Sequence, residues 1–311
     1  MNISVIIPVY NSENSLTALV KRLQPVLETE AMEYELIFVN DGSSDQSWDV
    51  ICDLSATRSW LRGINLMRNY GQHNALLCGI RSARYETIVT MDDDLQNPPE
   101  EIPKLLKKLD EEYDVVYGTP QKERHGFWRD MASQVTKAVL KSTMGVQVAR
   151  NVSAFRVFHS NVRNAFADYQ GPFVSIDVLL TWGTTRFAAV SVRHDQRREG
   201  LSNYTFRKLL THAINMMTGF STLPLRLASV VGFGFSLFGF GVLVYVVGRY
   251  LIQGSSVPGF AFLAAVISIF SGVQLFSLGI IGEYLARMHY RIMERPVYAI
   301  RNQTQLKESE G

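Results

Sequence analysis

The sequence predicts an α/β domain built on a mostly parallel β-sheet, followed by interfacial amphipathic helices and a two-helix transmembrane hairpin. Three observations carry this. Short apolar runs alternate with amphipathic helical patterns from Ile3 to Tyr117, as expected of a parallel sheet with helices on both faces. Turns rich in Asp, Asn and Gly follow several of the apolar runs. The stretches Leu227 to Gly248 and Pro258 to Gly282 contain no charged residue, and about 20 apolar residues suffice to cross a hydrocarbon layer of roughly 30 Å.

The elements follow in order. Ile3 to Val9 reads as a first strand, ending at Pro8-Val9-Tyr10-Asn11. Ser15 to Leu27 has helical spacing, with Leu16, Leu19, Val20 and Leu23 on one face. Glu35 to Val39 is a second strand, closed by the turn Asn40-Asp41-Gly42-Ser43-Ser44-Asp45, and Trp48 to Ala56 returns as a helix. Gly63 to Leu66 and Thr87 to Met91 are further strands, separated by a helix over His73 to Ala83. Pro103 to Glu112 is a helix and Tyr113 to Tyr117 a strand. In such sheets ligands bind at the carboxyl ends of the strands, where the turns after Val9, Val39 and Met91 converge.

One of these turns is chemically distinctive. Asp92, Asp93 and Asp94 stand together after Thr87-Ile88-Val89-Thr90-Met91 and before Leu95-Gln96-Asn97-Pro98-Pro99. Crowded carboxylates repel one another and call for a cation or a hydrogen-bond network. Hard oxygen donors suit Mg²⁺ or Mn²⁺, which commonly uses one or two carboxylates plus the oxygens of a substrate diphosphate. An acidic turn that caps a helix would carry the same residues.

The chain has 311 residues, 47% hydrophobic and 19% charged, with a formal net charge of +2. That balance gives no reason to expect nucleic-acid binding. Cys52 and Cys78 have neither zinc-site nor redox-pair spacing and read as buried thiols. The N-terminus lacks the basic start of a signal peptide, so the first domain is expected in the cytosol. Arg226 precedes the first apolar run, Arg287, Arg291 and Arg295 follow the second, and Arg249 lies between. The positive-inside rule then places both ends in the cytoplasm of an inner or plasma membrane. Glycines recur in both runs, as where membrane helices pack closely, and favour a homo-oligomer. Neither run contains Asp, Glu, Lys or Arg, which argues against an ion or proton path. Phe127 to Met144 and Phe206 to Phe220 are amphipathic and basic; the first reads equally as core-facing or interfacial, the second as interfacial. The polar tail from Arg301 reads as disordered. The expected organisation is a catalytic domain over 1–205, an interfacial segment over 206–226, the hairpin over 227–286 and a cytoplasmic tail over 287–311.

These motifs resemble glycosyltransferase family 2. The carrying segments are Ile6 to Asn11, Val39 to Asp45, Arg68-Asn69-Tyr70-Gly71-Gln72, Met91 to Pro99, Arg197 to Tyr204, Phe220 to Arg226 and Ile281 to Arg287. Within that family the chain is similar to the polyisoprenyl-phosphate branch, which includes dolichol-phosphate mannose synthase and the bactoprenol glucosyltransferases. The resemblance implies a GT-A fold and an inverting transfer of a hexose, glucose from UDP-glucose first, to a polyprenyl phosphate such as undecaprenyl phosphate. GDP-mannose or a UDP-aminosugar stays open as donor. A nucleotide-binding membrane scaffold for a flippase is the non-enzymatic alternative.

The resemblance also implies roles. Pro8, Tyr10, Asn11, Glu13 and Asp41 would meet the nucleotide, with Asp92 and Asp93 beside them. Asp94 and Gln96 would hold Mg²⁺ or Mn²⁺. Arg156 and Arg197, with Ser202 and Tyr204, would bind the acceptor phosphate, and Asp92, Asp94, Arg156 and Arg197 form the expected catalytic set. Relatives often carry an acidic residue near Phe155-Arg156, where this chain has Ala154 and Arg150. A polyprenyl phosphate is already anionic, so a dedicated general base is less necessary.

Overall fold

The computed structural model describes residues 1–120, 152–171, 173–195, 223–253 and 259–304. The chain forms two compact units, Met1–Phe206 with Glu294–Gly311, and Arg207–Met293.

The first unit alternates as expected: β1 (Asn2–Val9), α1 (Leu16–Glu30), β2 (Glu33–Asn40), α2 (Ser47–Thr57), β3 (Leu61–Leu66), α3 (Gln72–Ser82), β4 (Thr87–Thr90), α4 (Ile102–Leu109) and β5 (Val115–Pro120). There follow β6 (Arg156–His159), α5 (Ile176–Gly183), β7 (Phe187–Val192) and, after the second unit, β8 (Ile300–Gln303). The sheet order is β7-β5-β6-β4-β1-β2-β3-β8. β4-β1-β2-β3 are parallel, with Val9 opposite Asn40 and Asn40 opposite Asn65. Their carboxyl ends therefore share one edge.

Central strands carry continuous apolar runs because helices cover both faces. Leu16, Leu19, Val20, Leu23 and Leu27 of α1 are buried in a core with Ile3, Val5 and Ile7, to which α2 and α4 contribute Ile51, Leu54, Ile102 and Leu105. On the opposite face α3 approaches β1 closely at Gly79, where an added Cβ would collide with Ile6 Cγ2 and lie 3.1 Å from Val39 Cγ2. Gly79→Ala is expected to cost about 1–3 kcal/mol through overpacking, read as a lower urea midpoint with unchanged slope. Toward the amino ends of the strands, Glu35 is buried and accepts from Ser4 Oγ (2.7 Å), Arg62 Nε (3.0 Å) and Arg84 N (2.7 Å), tying three strands together. Cys78 is buried and burial pushes its thiol up to about 12, but Cys52, expected to be buried, is half-exposed.

The sheet is mostly parallel, as expected, with β6 antiparallel between β4 and β5; the sequence patterns mark neither β6 nor β7. The tail read as disordered contributes β8, which pairs antiparallel with β3. All four β8 residues are exposed, so no apolar pattern marks the strand; backbone pairing to an otherwise open edge accounts for it.

The second unit contains α6 (Leu223–Gln253) and α7 (Phe260–Ile292). Leu225–Ile252 and Ile269–Ile292 are long and apolar enough to cross a membrane, with mean hydropathy 2.2 and 1.4. The helices meet through Phe270, whose ring lies 5.8 Å from Phe235 edge-on and 6.4 Å from Phe238 stacked. Helix α7 continues well past Gly282, with Arg287 paired to Glu283 at 2.6 Å. The amphipathic stretches Phe127 to Met144 and Phe206 to Phe220 lie outside the described residues.

Candidate active site

The loops after β1 and β2 are laced together at the carboxyl edge. Asn11, at φ +54°, donates its N–H to Ser43 Oγ (3.0 Å), and its Oδ1 accepts from Ser44 N (2.9 Å) and Ser44 Oγ (3.2 Å). Glu13 N donates to Asp45 Oδ2 (3.2 Å), and Glu13 Oε2 accepts from Gln46 N (2.8 Å). Ser43 Oγ donates to Asn40 Oδ1 (2.5 Å), whose amide nitrogen donates to Asn65 Oδ1 (2.9 Å). A hydrogen-bonded chain thus links β3 to the loop after β1. Tyr10 projects, 52% exposed. Asn11 and Glu13 spend polar atoms holding the two loops in register. Pro8 is buried within β1 and leads into this loop.

Asp41 is 3% exposed. Its Oδ1 accepts from Tyr70 N (2.7 Å) and its Oδ2 from Gly71 N (2.8 Å). Burial pushes its carboxyl above the ordinary range, and the two amides only partly offset this. The next residue, Gly42, has φ +67°, and a Cβ there would lie 2.5 Å from Asn69 N and 2.6 Å from Arg68 C. Arg68 stacks its guanidinium over the Tyr70 ring at 4.6 Å.

The three aspartates of the β4 turn differ in environment. Asp92 Oδ1 accepts from Gln72 Nε2 at 2.6 Å. Asp93 is pushed up to about 6 by burial and then by the charge of Asp94, against the Ser12 hydroxyl and the Tyr10 amide. Asp94 Oδ1 accepts from Gln96 N at 3.1 Å, closing a tight turn through Leu95 at φ +60°. Gln96 O accepts from Asp195 N at 2.8 Å, and His194 Nδ1 lies 3.4 Å from Asn97 Oδ1. The segment after β7 therefore braces the acidic turn.

Among the described residues, no three His, Cys, Asp or Glu side chains converge as a metal cage. The oxygen donors Asp94 and Gln96, with Asp92 nearby, nevertheless fit a hard cation that takes its remaining ligands from a diphosphate.

Arg156 is 1% exposed and ion-paired with Asp177 through Nη1. Its Nε donates at 3.1 Å to Oγ1 of Thr90, its register partner on β4. Tyr117 Oη donates to the same Asp177 oxygen at 3.3 Å. Burial, then the Asp177 charge, hold this phenol well above its ordinary pKa, so it stays a donor. This guanidinium is enclosed and paired inside the fold, beneath the acidic turn. Arg197, Ser202 and Tyr204 lie outside the described residues.

The structure thus gathers Tyr10, Asn11, Glu13, Asp41, Asp92, Asp93, Asp94 and Gln96 at one edge. Sequence reasoning gave no role to Gln72, Ser12 or Asp177. Gln72 stood within a quoted segment, but only the fold sets it against Asp92. Asp177 lies 21 residues from its partner, with no spacing to announce the pair.

A mixed α/β sheet with a laced pair of loops and an acidic turn at its carboxyl edge is a GT-A arrangement, built to receive a sugar nucleotide. The chain belongs to glycosyltransferase family 2: the family described as "Glycosyl transferase family 2" matches residues 4–170, and the enzyme class follows as glycosyltransferase. It is 35% identical over 305 residues to undecaprenyl-phosphate 4-deoxy-4-formamido-L-arabinose transferase from Edwardsiella ictaluri (strain 93-146), covering 96% of this chain and 93% of that one. The transferase of the same name from Enterobacter sp. (strain 638) is 35% identical over 302 residues, with coverage of 96% and 92%. In fold it is similar to glucosyl-3-phosphoglycerate synthase from Mycobacterium tuberculosis, solved with Mn²⁺, UDP-glucose and phosphoglyceric acid, at TM-score 0.54 and 18% identity over 70% of this chain and 77% of that one. Mannosyl-3-phosphoglycerate synthase from Rubrobacter xylanophilus gives TM-score 0.52 and 14% identity, with coverage of 69% and 72%.

Proposed function

We propose that this glycosyltransferase moves an amino sugar of the 4-deoxy-4-formamido-arabinose type from a uridine diphosphate carrier to undecaprenyl phosphate or a similar polyprenyl phosphate. Near-full-length similarity to two transferases named for that sugar and acceptor supports this donor over UDP-glucose, the first choice of the sequence reading. The observation that carries the chemistry is the braced turn Asp92 to Gln96, facing the loops of Tyr10 and Asp41.

The reaction needs one new bond. A phosphate oxygen of the acceptor attacks the anomeric carbon as the bond from that carbon to the diphosphate oxygen breaks, inverting the centre and releasing UDP. The acceptor is anionic, so no proton must be removed first. Asp94 and Gln96 would hold Mg²⁺ or Mn²⁺, which when bound neutralises charge gathering on the departing diphosphate. Asp92, oriented by Gln72, borders that diphosphate. Tyr10 and the laced loops flank the base and ribose. Arg197, with Ser202 and Tyr204, supplies the acceptor-phosphate contacts, since a guanidinium pairs bidentately with phosphate oxygens.

The helices α6 and α7 keep the catalytic unit near the lipid headgroups, with both ends of the hairpin cytoplasmic. Gly232, Gly234, Gly241, Gly272 and Gly279 have open space where a Cβ would stand, which favours packing against a further copy in the bilayer.

Inside-out membrane vesicles supplied with labelled UDP-4-deoxy-4-formamido-arabinose, UDP-glucose or GDP-mannose, followed by lipid extraction, test the reading. Label is expected in lipid from the first donor and not from the others, and only when the cytoplasmic face is outward. Label from UDP-glucose alone would return the donor to glucose, and activity confined to right-side-out vesicles would reverse the topology.

A further inference from the structure

Met67 is the residue before the segment Arg68 to Gln72, and both its backbone groups are held by chain that follows α7. Its N–H donates to Ala299 O at 2.9 Å, and its carbonyl accepts from Arg301 Nη2 at 3.0 Å. Further up β3, Gly63 donates to Thr304 Oγ1 at 2.8 Å and accepts from Thr304 N at 3.0 Å. Half-buried Tyr298 hydrogen-bonds Cys78, and the Arg81 guanidinium lies over its ring at 5.8 Å. Both partners belong to α3. The strap from Tyr298 to Thr304 therefore grips β3 and α3, the elements from which the Arg68–Gln72 segment hangs.

That segment reaches the site by several routes. Tyr70 and Gly71 give their N–H groups to Asp41, Gln72 donates to Asp92, and the backbone of Arg68 and Asn69 lies against Gly42. The exposure of every β8 side chain leaves little burial to account for the strap. What it supplies is fixed backbone at the root of this segment.

We propose that the strap is a positioning element of the donor site, so that nucleotide affinity depends on residues that follow the membrane helices. Arg301 is its principal side-chain contact with Met67. The proposal rests on the assignment of Asp41 and Asp92 to the donor site.

The test uses full-length protein in lipid nanodiscs. For Arg301→Ala, the dissociation constant for UDP with Mn²⁺, measured by calorimetry, and the donor KM are expected to rise about threefold to tenfold. The acceptor KM stays unchanged, amide exchange at Tyr70 and Gly71 accelerates, and Arg301→Lys recovers part of the loss. Ile300→Pro, which disturbs the β3 pairing itself, reproduces the effect. Asp41→Asn serves as the reference. If Asp41→Asn weakens UDP binding while Arg301→Ala and Ile300→Pro change neither affinity nor exchange, the strap proposal is overturned and the donor site stands. If Asp41→Asn leaves UDP binding intact, the donor-site assignment falls and the proposal with it.

Discussion

Asp94→Asn leaves a folded protein that makes lipid-linked sugar at least about a thousandfold more slowly, the scale expected when charge stabilisation at the leaving group is removed. The substitution is chosen to separate chemistry from folding. Asn keeps a side-chain oxygen in the place of Oδ1, so the turn bond from Gln96 N, 3.1 Å in length, survives. The lost negative charge is what a divalent cation would pair with. Extraction of labelled lipid reads the rate, and intrinsic fluorescence on heating reads the fold. The rate of the unaltered protein falls equally when chelator strips Mg²⁺ and Mn²⁺, and returns when either is restored. A variant that turns over normally would remove Asp94 from the metal site.

The second large effect concerns stability. Asp177→Ala strands the Arg156 guanidinium, 1% exposed, without its carboxylate. Breaking a buried pair by deleting one partner costs about 3–5 kcal/mol, which for a domain of this size lowers the melting temperature by about 10 °C. Replacing both charges, as in Arg156→Met with Asp177→Leu, is expected to regain most of that loss, because the desolvation of both ions disappears together. The acceptor KM of the double variant stays within about threefold of the parent, the limit of a change that removes no direct substrate contact. A double variant that is stable but has lost acceptor binding would give Arg156 the phosphate role. Calorimetric melting and steady-state kinetics on the same preparations decide this.

The parts of the molecule legible in the sequence are those written in local patterns. The Leu16-Leu19-Val20-Leu23 stripe of α1 and the apolar run of β1 follow from side-chain periodicity, and both lie in the core. The convergence of the Tyr10, Asp41 and Asp92 turns follows from parallel strand order. What was not legible depends on long-range pairing. The strand β6 has only four residues and begins with a charged one, so Val157 and Phe158 alone are too short a run to mark a strand. The strand β8 is polar after Ile300 and exposed throughout, and its assignment needs the open edge of β3. Arg156 is a related case: an arginine in a motif suggests a ligand, and only the Thr90–Arg156 register brings out its pairing with Asp177. Asp41 illustrates a milder case, since its place at the site follows from the turn, but its two amide partners belong to a segment about thirty residues on.

Thr304 and Gly63 are 241 residues apart, and both apolar helices are translated between them. A nascent chain therefore leaves the flank of β3 unpaired by β8 throughout synthesis of both helices. Closing so distant a pairing is slow compared with forming neighbouring hairpins or helices. The first unit accordingly completes its sheet only after α6 and α7 are made, and newly synthesised copies carry an open strand edge, the kind of surface that invites chaperones or mispairing, until the strap is in place.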